Sequence, residues 1–420
     1  MTRDGQLTPD DPVGEVPGEP ARMTSMSGQL TDIRHLVVLT VEGVAAADVP
    51  ELVARATQCR AFHLAPEGED RAALWRGYSD ALVAAGYSVS NDPASAADVT
   101  LADLDAAGLA HFVDTLDAAG STLIAIALAG GEALPVDELG APGILLLISP
   151  WTSAGWVSEE VFDHTSLMRF CERWTAARGR EVAADLPAWR RELCGDLLRA
   201  IELRDASEVG APPTVSGRLL ARPVPYFPVA ELRIGDAGVT LRLGNTGPMA
   251  TSSAPFLVDD DGAVSSLVVP GSPLDDQVHV RVPVTVTDGH YDVTVLGPDH
   301  FRRRFAGAFP DAGVHCDAEY FGRDPWFPSL TLTVRHDLTL PVFFWLERRL
   351  GERAASKAAG YGSGTLERLP GPRQTARFKE EPGANTFGWY DVAVTTSADP
   401  TWVREYSGHM PTGVRPTLAY

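Results

Sequence analysis

Apolar residues follow two rhythms along this chain. In the first half they form unbroken runs: Ile33 to Val41 (IRHLVVLTV), Ser121 to Leu128 (STLIAIAL) and Gly143 to Ser149 (GILLLIS). A strand covered on both faces needs no polar side, so these runs predict strands of a parallel sheet. Between them, Ala73–Gly86 and Leu101–Ala119 carry helical spacing. A longer helical region runs from about Ser158 to Leu203, broken near Gly179 and Pro187. Strands alternating with helices predict an α/β domain over 31–205.

After Ala211-Pro212-Pro213 the rhythm shortens. Val239–Leu243, Val278–Val286, Tyr291–Val295, Leu330–Val334 and Tyr390–Val394 alternate apolar and polar residues between Asp, Gly and Pro. That spacing predicts all-β sandwich modules, at 215–310 and 311–420, after a linker near 205–215. An internal repeat supports two copies. Tyr291-Asp292-Val293-Thr294-Val295 is followed by Phe301, Arg303 and Gly307, and Tyr390-Asp391-Val392-Ala393-Val394 by Trp402, Arg404 and Gly408. Residues 1–30, rich in Pro, Gly, Asp and Glu, read as a disordered tail.

Length and charge narrow the function. At ~150 residues per domain, 420 residues imply two or three domains, and 45% hydrophobic residues supply more than one core. A net charge of -21, from 56 acidic against 35 basic residues, opposes attraction to nucleic acid or to an anionic membrane. No run approaches the ~18 apolar residues of a membrane span. The first 30 residues hold no apolar leader and no twin arginine, so the expected location is cytoplasmic. The four cysteines, Cys59, Cys171, Cys194 and Cys316, lack CxxC spacing and read as isolated thiols. Asp259-Asp260-Asp261-Gly262 lacks the bidentate Glu of a calcium loop and reads as a hairpin turn. Trp151, Trp156, Trp174 and Trp189 suit core packing better than an aromatic cage for choline.

Two blocks of residues carry a resemblance. The first is Ser149-Pro150-Trp151, then Val161-Phe162-Asp163-His164-Thr165-Ser166, Arg169-Phe170, Trp189-Arg190-Arg191 and Cys194-Gly195-Asp196-Leu197. The second is Asn245-Thr246-Gly247, Tyr291-Asp292 through Gly307, Gly388-Trp389-Tyr390-Asp391 and Ser407-Gly408-His409, with Thr412-Gly413 and Arg415-Pro416. Together they resemble the bacterial phosphocholine-preferring phospholipase C family, within the phosphoesterase and acid phosphatase superfamily. The resemblance implies a shortened alkaline-phosphatase-like α/β domain followed by two β-sandwich modules.

Family members use a metal, a hydroxyl nucleophile and histidines for phosphoryl transfer. Here the first ligand motif, E-N-R-S-F-D-H in the family, reads Glu42-Gly43-Val44-Ala45-Ala46-Ala47-Asp48, so Glu42 alone keeps a ligand position. The second, T-Y-D-E-N-D-G, is replaced by Leu128-Ala129-Gly130-Gly131-Glu132. Thr57, Cys59, Ala61, Phe62 and His63 resemble what is left of the segment that follows the nucleophile, and the nucleophile segment itself has no counterpart. The chain is also short for the family. The expectation is therefore a non-catalytic relative that acts by binding or assembly, with Glu42, Asp163 and His164 as relics of the site. The alternative is a residual or altered hydrolase of phosphocholine lipids or another phosphate ester. No cofactor is expected, or a divalent metal under the alternative. Expected partners are a second copy or another protein at an exposed sheet edge, and a phosphate- or choline-containing ligand.

Overall fold

The computed structural model describes residues 30–66, 68–115, 121–131, 133–134, 136, 139–152, 155–201, 220–222, 224–247, 250–273, 278–310, 312–321, 329–349, 364–382 and 388–410. A mixed α/β region comes first, and strand-rich sheets follow.

The nine-stranded sheet of the α/β region contains β1 (His35–Ala45), β2 (Thr57–His63), β3 (Val89–Ser90), β4 (Val99–Leu104), β5 (Thr122–Ala129), β6 (Pro142–Ile148), β7 (Trp156–Ser158), β8 (Phe162–Asp163) and β9 (Leu220–Ala221). Its order is β3-β4-β1-β5-β6-β2-β7-β9, with β8 also on β2. The three apolar runs are strands, as expected, buried on both faces at the centre. Even-numbered residues of β1, Leu36 and Val38, pack beneath the helices Arg71–Ala84 and His164–Ala177. Odd-numbered Val37, Leu39 and Val41 form a second core with Leu52 and Leu109. Three layers result.

The structure corrects three sequence expectations. The sheet is mixed, because β6 runs antiparallel to both β5 and β2. The stretch Leu101–Ala119 opens as β4, beside β1, and turns helical only at Ala106–Thr115. The region from Ser158 to Leu203 does break near Gly179 and Pro187 as expected, into helices at His164–Ala177 and Ala188–Leu193, but β8 precedes the first helix and residues 194–201 are not helical. For β4 and β8, strand pairing distant in sequence overrides local spacing. The segment Thr57–His63 was another strand that periodicity did not reveal, and it lies between β6 and β7.

The C-terminal strands are β10 (Pro228–Gly235), β11 (Gly238–Asn245), β12 (Ala254–Asp260), β13 (Ala263–Val269), β14 (His279–Val284), β15 (His290–Leu296), β16 (Arg302–Ala308), β17 (Val314–Phe321), β18 (Ser329–His336), β19 (Phe344–Arg348), β20 (Gly364–Arg368), β21 (Thr375–Glu380), β22 (Trp389–Thr396) and β23 (Val403–His409). Two three-stranded sheets, β10-β11-β14 and β17-β18-β21, face one eight-stranded sheet of order β13-β12-β15-β16-β23-β22-β19-β20. The eight strands cross residue 310, because β16 pairs with β23. Their register is symmetric: Arg302 lies opposite Ser407, Arg304 opposite Glu405 and Ala306 opposite Val403. A local two-fold axis therefore passes through the Arg304–Glu405 pair.

The sequence repeat sits on this axis. Arg303 donates to the Tyr390 hydroxyl at 2.7 Å, and Arg404 donates to the Tyr291 hydroxyl at 2.8 Å. Each copy thus sends its arginine into the other copy's core. Gly307 and Gly408 lie opposite Tyr291 and Tyr390, and a Cβ there would stand 2.8 and 3.0 Å from the respective tyrosine oxygens.

Candidate functional site

In sheets of this kind ligands gather at the carboxyl ends of parallel strands. β1, β4, β5 and β2 all end on one edge, and β8 ends there beside β2, with His63 in register with Asp163. Glu42 reaches this edge exposed, beside Gly43 in the left-handed region (φ +72), on a bulge where the pairing of β1 with β5 shifts between Thr40 and Ala45. β5, β6 and β2 lie between β1 and β8, which makes four strand spacings of ~4.8 Å each. Glu42 is thereby kept apart from Asp163 and His164.

Asp163 and His164 are brought together with residues that sequence reasoning did not assign. Asp163 caps the helix His164–Ala177. Its Oδ1 accepts from Thr165 N at 2.9 Å, Thr165 Oγ1 at 2.6 Å and Ser166 N at 3.2 Å. Ser166 Oγ in turn accepts from Asp163 N at 3.1 Å, closing a capping box. The Asp-His-Thr-Ser string is, locally, a helix start.

Arg190, buried on the short helix Ala188–Leu193, reaches across to this start. One guanidinium nitrogen lies 3.2 Å from His164 Nε2 and 3.6 Å from Asp163 Oδ2, and the other donates to Glu69 at 2.8 Å. Glu69 stands just before Asp70, the cap of the helix Arg71–Ala84. An arginine stays protonated, so at Nε2 the guanidinium donates and the imidazole accepts. The ring's proton then sits on Nδ1, which is buried and has no partner among the described residues. Burial above all holds the His164 pKa below its ordinary value, with Asp163 and Glu69 opposing and Arg190 adding to the shift. We therefore treat the 3.6 Å approach of Glu69 to Nε2 as a contact with a neutral ring. Nearby, His63 bonds the Gly140 carbonyl through Nδ1 at 3.3 Å, and burial lowers its pKa too.

Chemically the arrangement is engaged on one side, while His164 Nδ1 and Asp163 Oδ2 are buried without a hydrogen-bond partner among the described residues. The lone pair a general base would offer is taken by Arg190, and Asp163 Oδ1 is taken by the helix start. At the ends of β1 and β4, Arg71 bonds Thr40 Oγ1 and pairs with Asp103 at 2.6 Å, beside a cavity of about 70 Å³. Cys194 is a buried thiol whose pKa burial raises. Gly195 permits the close approach of Glu160, since a Cβ there would meet its carboxylate at 2.4 Å. Gly195 N also donates to the Val161 carbonyl at 2.8 Å and Arg169 bonds the Cys194 carbonyl, so the Cys-Gly-Asp-Leu block is tied to the chain on either side of Asp-His-Thr-Ser.

The described residues at the two expected ligand positions do not fit the metal that the resemblance implies. Among the described residues no group of three or more His, Cys, Asp or Glu side chains is arranged to hold an ion. At the second ligand position, β5 ends in Ala129 and Gly130, which offer no side-chain oxygen; Glu132 lies outside the described residues. The tryptophans do not form a cage. Arg222 stacks 4.0 Å over Trp156, Arg178 lies 3.9 Å over Trp174, and Trp189 is largely at the surface. No helix among the described residues is long and apolar enough to cross a membrane.

Glu69 and the role of Arg190 were missed because nothing local marks them. Glu69 is 94 residues from Asp163 in sequence (163 minus 69), and only the sheet order closes that gap.

Comparison with known proteins agrees with the resemblance at a coarser level. Residues 220–308 match the family described as bacterial phospholipase C, C-terminal domain. A non-hemolytic phospholipase C of Burkholderia pseudomallei is 27% identical over 318 residues, covering 67% of this chain and 43% of that protein. A non-hemolytic phospholipase C of Pseudomonas aeruginosa is 28% identical over 321 residues, covering 66% and 42%. The hemolytic phospholipase C of the same organism is 27% identical over 350 residues, covering 67% and 44%. The chain spans less than half the length of these relatives and is distantly homologous to them.

Proposed function

We propose that this chain is a phospholipase C relative that no longer hydrolyses phosphodiesters and works by binding or assembly. In this reading the first domain is the reduced remainder of an alkaline-phosphatase-like phosphoesterase, followed by two sandwich modules that share a sheet. One observation carries it: the Asp163–His164 pair is spent on the fold. His164 Nε2 is bonded by Arg190, Arg190 is tied to Glu69, and Asp163 Oδ1 holds the helix start. Phosphate esters hydrolyse so slowly unaided that a partial site gives little rate.

The test uses the purified full chain with a chromogenic phosphocholine ester and magnesium, calcium, manganese or zinc. The expected result is release no faster than in buffer with metal alone. Metal-dependent turnover that disappears in His164→Ala would overturn the proposal and establish the hydrolase alternative.

A further inference from the structure

Four of the nine large apolar side chains that stand exposed among the described residues gather at one end of the second copy of the repeat. Leu338, Leu340 and Phe343 lie on the connection from β18 to β19, and Leu369 on the connection from β20 to β21. Leu340 is 73% exposed and Leu369 51%. The two connections are neighbours. His336 Nε2 donates to the Pro370 carbonyl at 3.1 Å, and Arg373 N donates to the His336 carbonyl at 3.1 Å. The register that sets Phe344 opposite Arg368 also brings Phe343 beside Leu369. Phe343 N donates to Ser397 Oγ at 3.0 Å and Asp337 N to the Gly313 carbonyl at 2.9 Å, which brace the edge. Pro341, Pro370 and Pro372 fix its backbone further. Apolar side chains scattered singly over a surface are ordinary, but a concentration of them marks a site of interaction.

We propose that this end of the molecule docks on a zwitterionic lipid surface, with Leu338, Leu340, Phe343 and Leu369 entering the acyl boundary and arginines meeting lipid phosphates. The proposal rests on the reading of the chain as a binding or assembly protein, and names the surface and the partner it would use. Such docking needs no spanning segment, because apolar tips a few ångströms deep hold a protein at the interface.

Charge and layering select the occupant. Residues 335–345 and 365–377 carry Arg335, Arg368, Arg373 and Arg377 against Asp337 and Glu367, a local positive excess in a chain of net charge -21. Arg335, Arg368 and Arg377 belong to strands, set back from the connections that carry the leucines. The bonds of Arg368 go to the backbone carbonyls of Arg377 and Glu367, which leave its charge in place. Between tip and arginines, the Trp345 ring stacks on Phe343 at 5.8 Å and 8°, and its Nε1 donates to Glu367 at 2.9 Å. Apolar tips outermost, then an indole with a satisfied polar end, then guanidinium groups is the depth profile of a bilayer interface. A second copy docked through the same patch would set one excess of arginines against another, and like charges oppose it. The whole-chain charge repels a strongly anionic surface across a Debye length of ~10 Å. A zwitterionic surface offers phosphates without that repulsion.

The probe is a vesicle of phosphatidylcholine and phosphatidylethanolamine, floated on a density gradient with the full chain. The expected result is co-flotation, with amide hydrogen exchange slowed by vesicles over 337–343 and 369–373. Leu340→Glu should lower the bound fraction at least fivefold, and Val264→Glu, at an exposed apolar position on β13, should leave it unchanged. If Leu340→Glu fails to fold, the exchange pattern of the unaltered chain still decides. Absence of flotation, or slowed exchange only elsewhere, overturns the proposal. Binding that prefers phosphatidylglycerol vesicles and ignores Leu340→Glu overturns it as well, by making the attraction one of charge alone. A doubled mass by light scattering without lipid, abolished by Leu340→Glu, overturns it by making a second copy the occupant. Ester hydrolysis by a chain that still floats would defeat only the non-catalytic reading; an inert chain that stays in solution would defeat only this one.

Discussion

Arg190 concentrates the physics of the first domain in one side chain. It neutralises Glu69 and faces Asp163, while its bond to His164 fixes the ring's tautomer. Removing one partner from a buried charge group costs far more than the group contributes intact, about 3–5 kcal/mol. Arg190→Met is expected to lose that much in urea denaturation, and Arg190→Lys to recover little, because an ammonium lacks the forked geometry that spans three partners. Two buried groups give opposite pH signs. Burial lifts Glu160 from 4.5 to about 7, with Asp196 adding to the rise and Arg199 opposing it. The folded chain then keeps a proton that the unfolded chain releases, so this contribution falls as pH rises from 4.5 to 7 and levels off above. At 1.36 kcal/mol per unit the whole effect is roughly 3 kcal/mol. Glu160→Gln should flatten this part of the dependence of the melting temperature on pH. His164, held below its ordinary 6.5, contributes fully above 6.5 and less as pH falls beneath it. His164→Gln should remove that acid-side loss in the same titration.

At the scale of elements, the string Asp-His-Thr-Ser serves the fold as a helix start. The cap needs a side-chain oxygen at Asp163 and hydroxyls at Thr165 and Ser166, whatever happens to the rest of a site. Asp163→Ala should cost about 1–2 kcal/mol through loss of the cap, read from thermal unfolding, and Asp163→Asn should restore most of it. The elements also show why periodicity failed where it did. β4 and β2 are six and seven residues long, and a run that short fits a helix face or a strand equally well. What decides is a neighbour: β4 lies against β1, and β2 against β6, partners found only after the chain has folded.

For the whole molecule, the two-fold axis is the organising feature of the strand-rich half. Because Arg303 and Arg404 are each completed by a tyrosine of the opposite copy, neither copy's core is whole alone. Tyr390→Phe and Tyr291→Phe each leave a buried guanidinium short of one acceptor, at about 1–3 kcal/mol. Both should lower the same single calorimetric transition, although the residues lie in different copies of the repeat. Two separate transitions, each sensitive to one substitution, would show that the copies fold independently.

The sequence by itself determined the two rhythms, the change from α/β to strand-rich chain, and the repeat. These are local: each depends on residues a few positions apart and on rules of pattern and side-chain chemistry. It also singled out Glu42, Asp163 and His164 as candidate site positions, without showing which of them meet. The tertiary structure alone decided that Glu42 stands strands away from the other two, and that Glu69 and Arg190 close around His164. It alone showed that the repeated arginines cross over and that one layer stops at the axis while the other continues. The reason is the same throughout: strand order and pairing join residues that lie tens to about a hundred positions apart, and no window along the chain contains both.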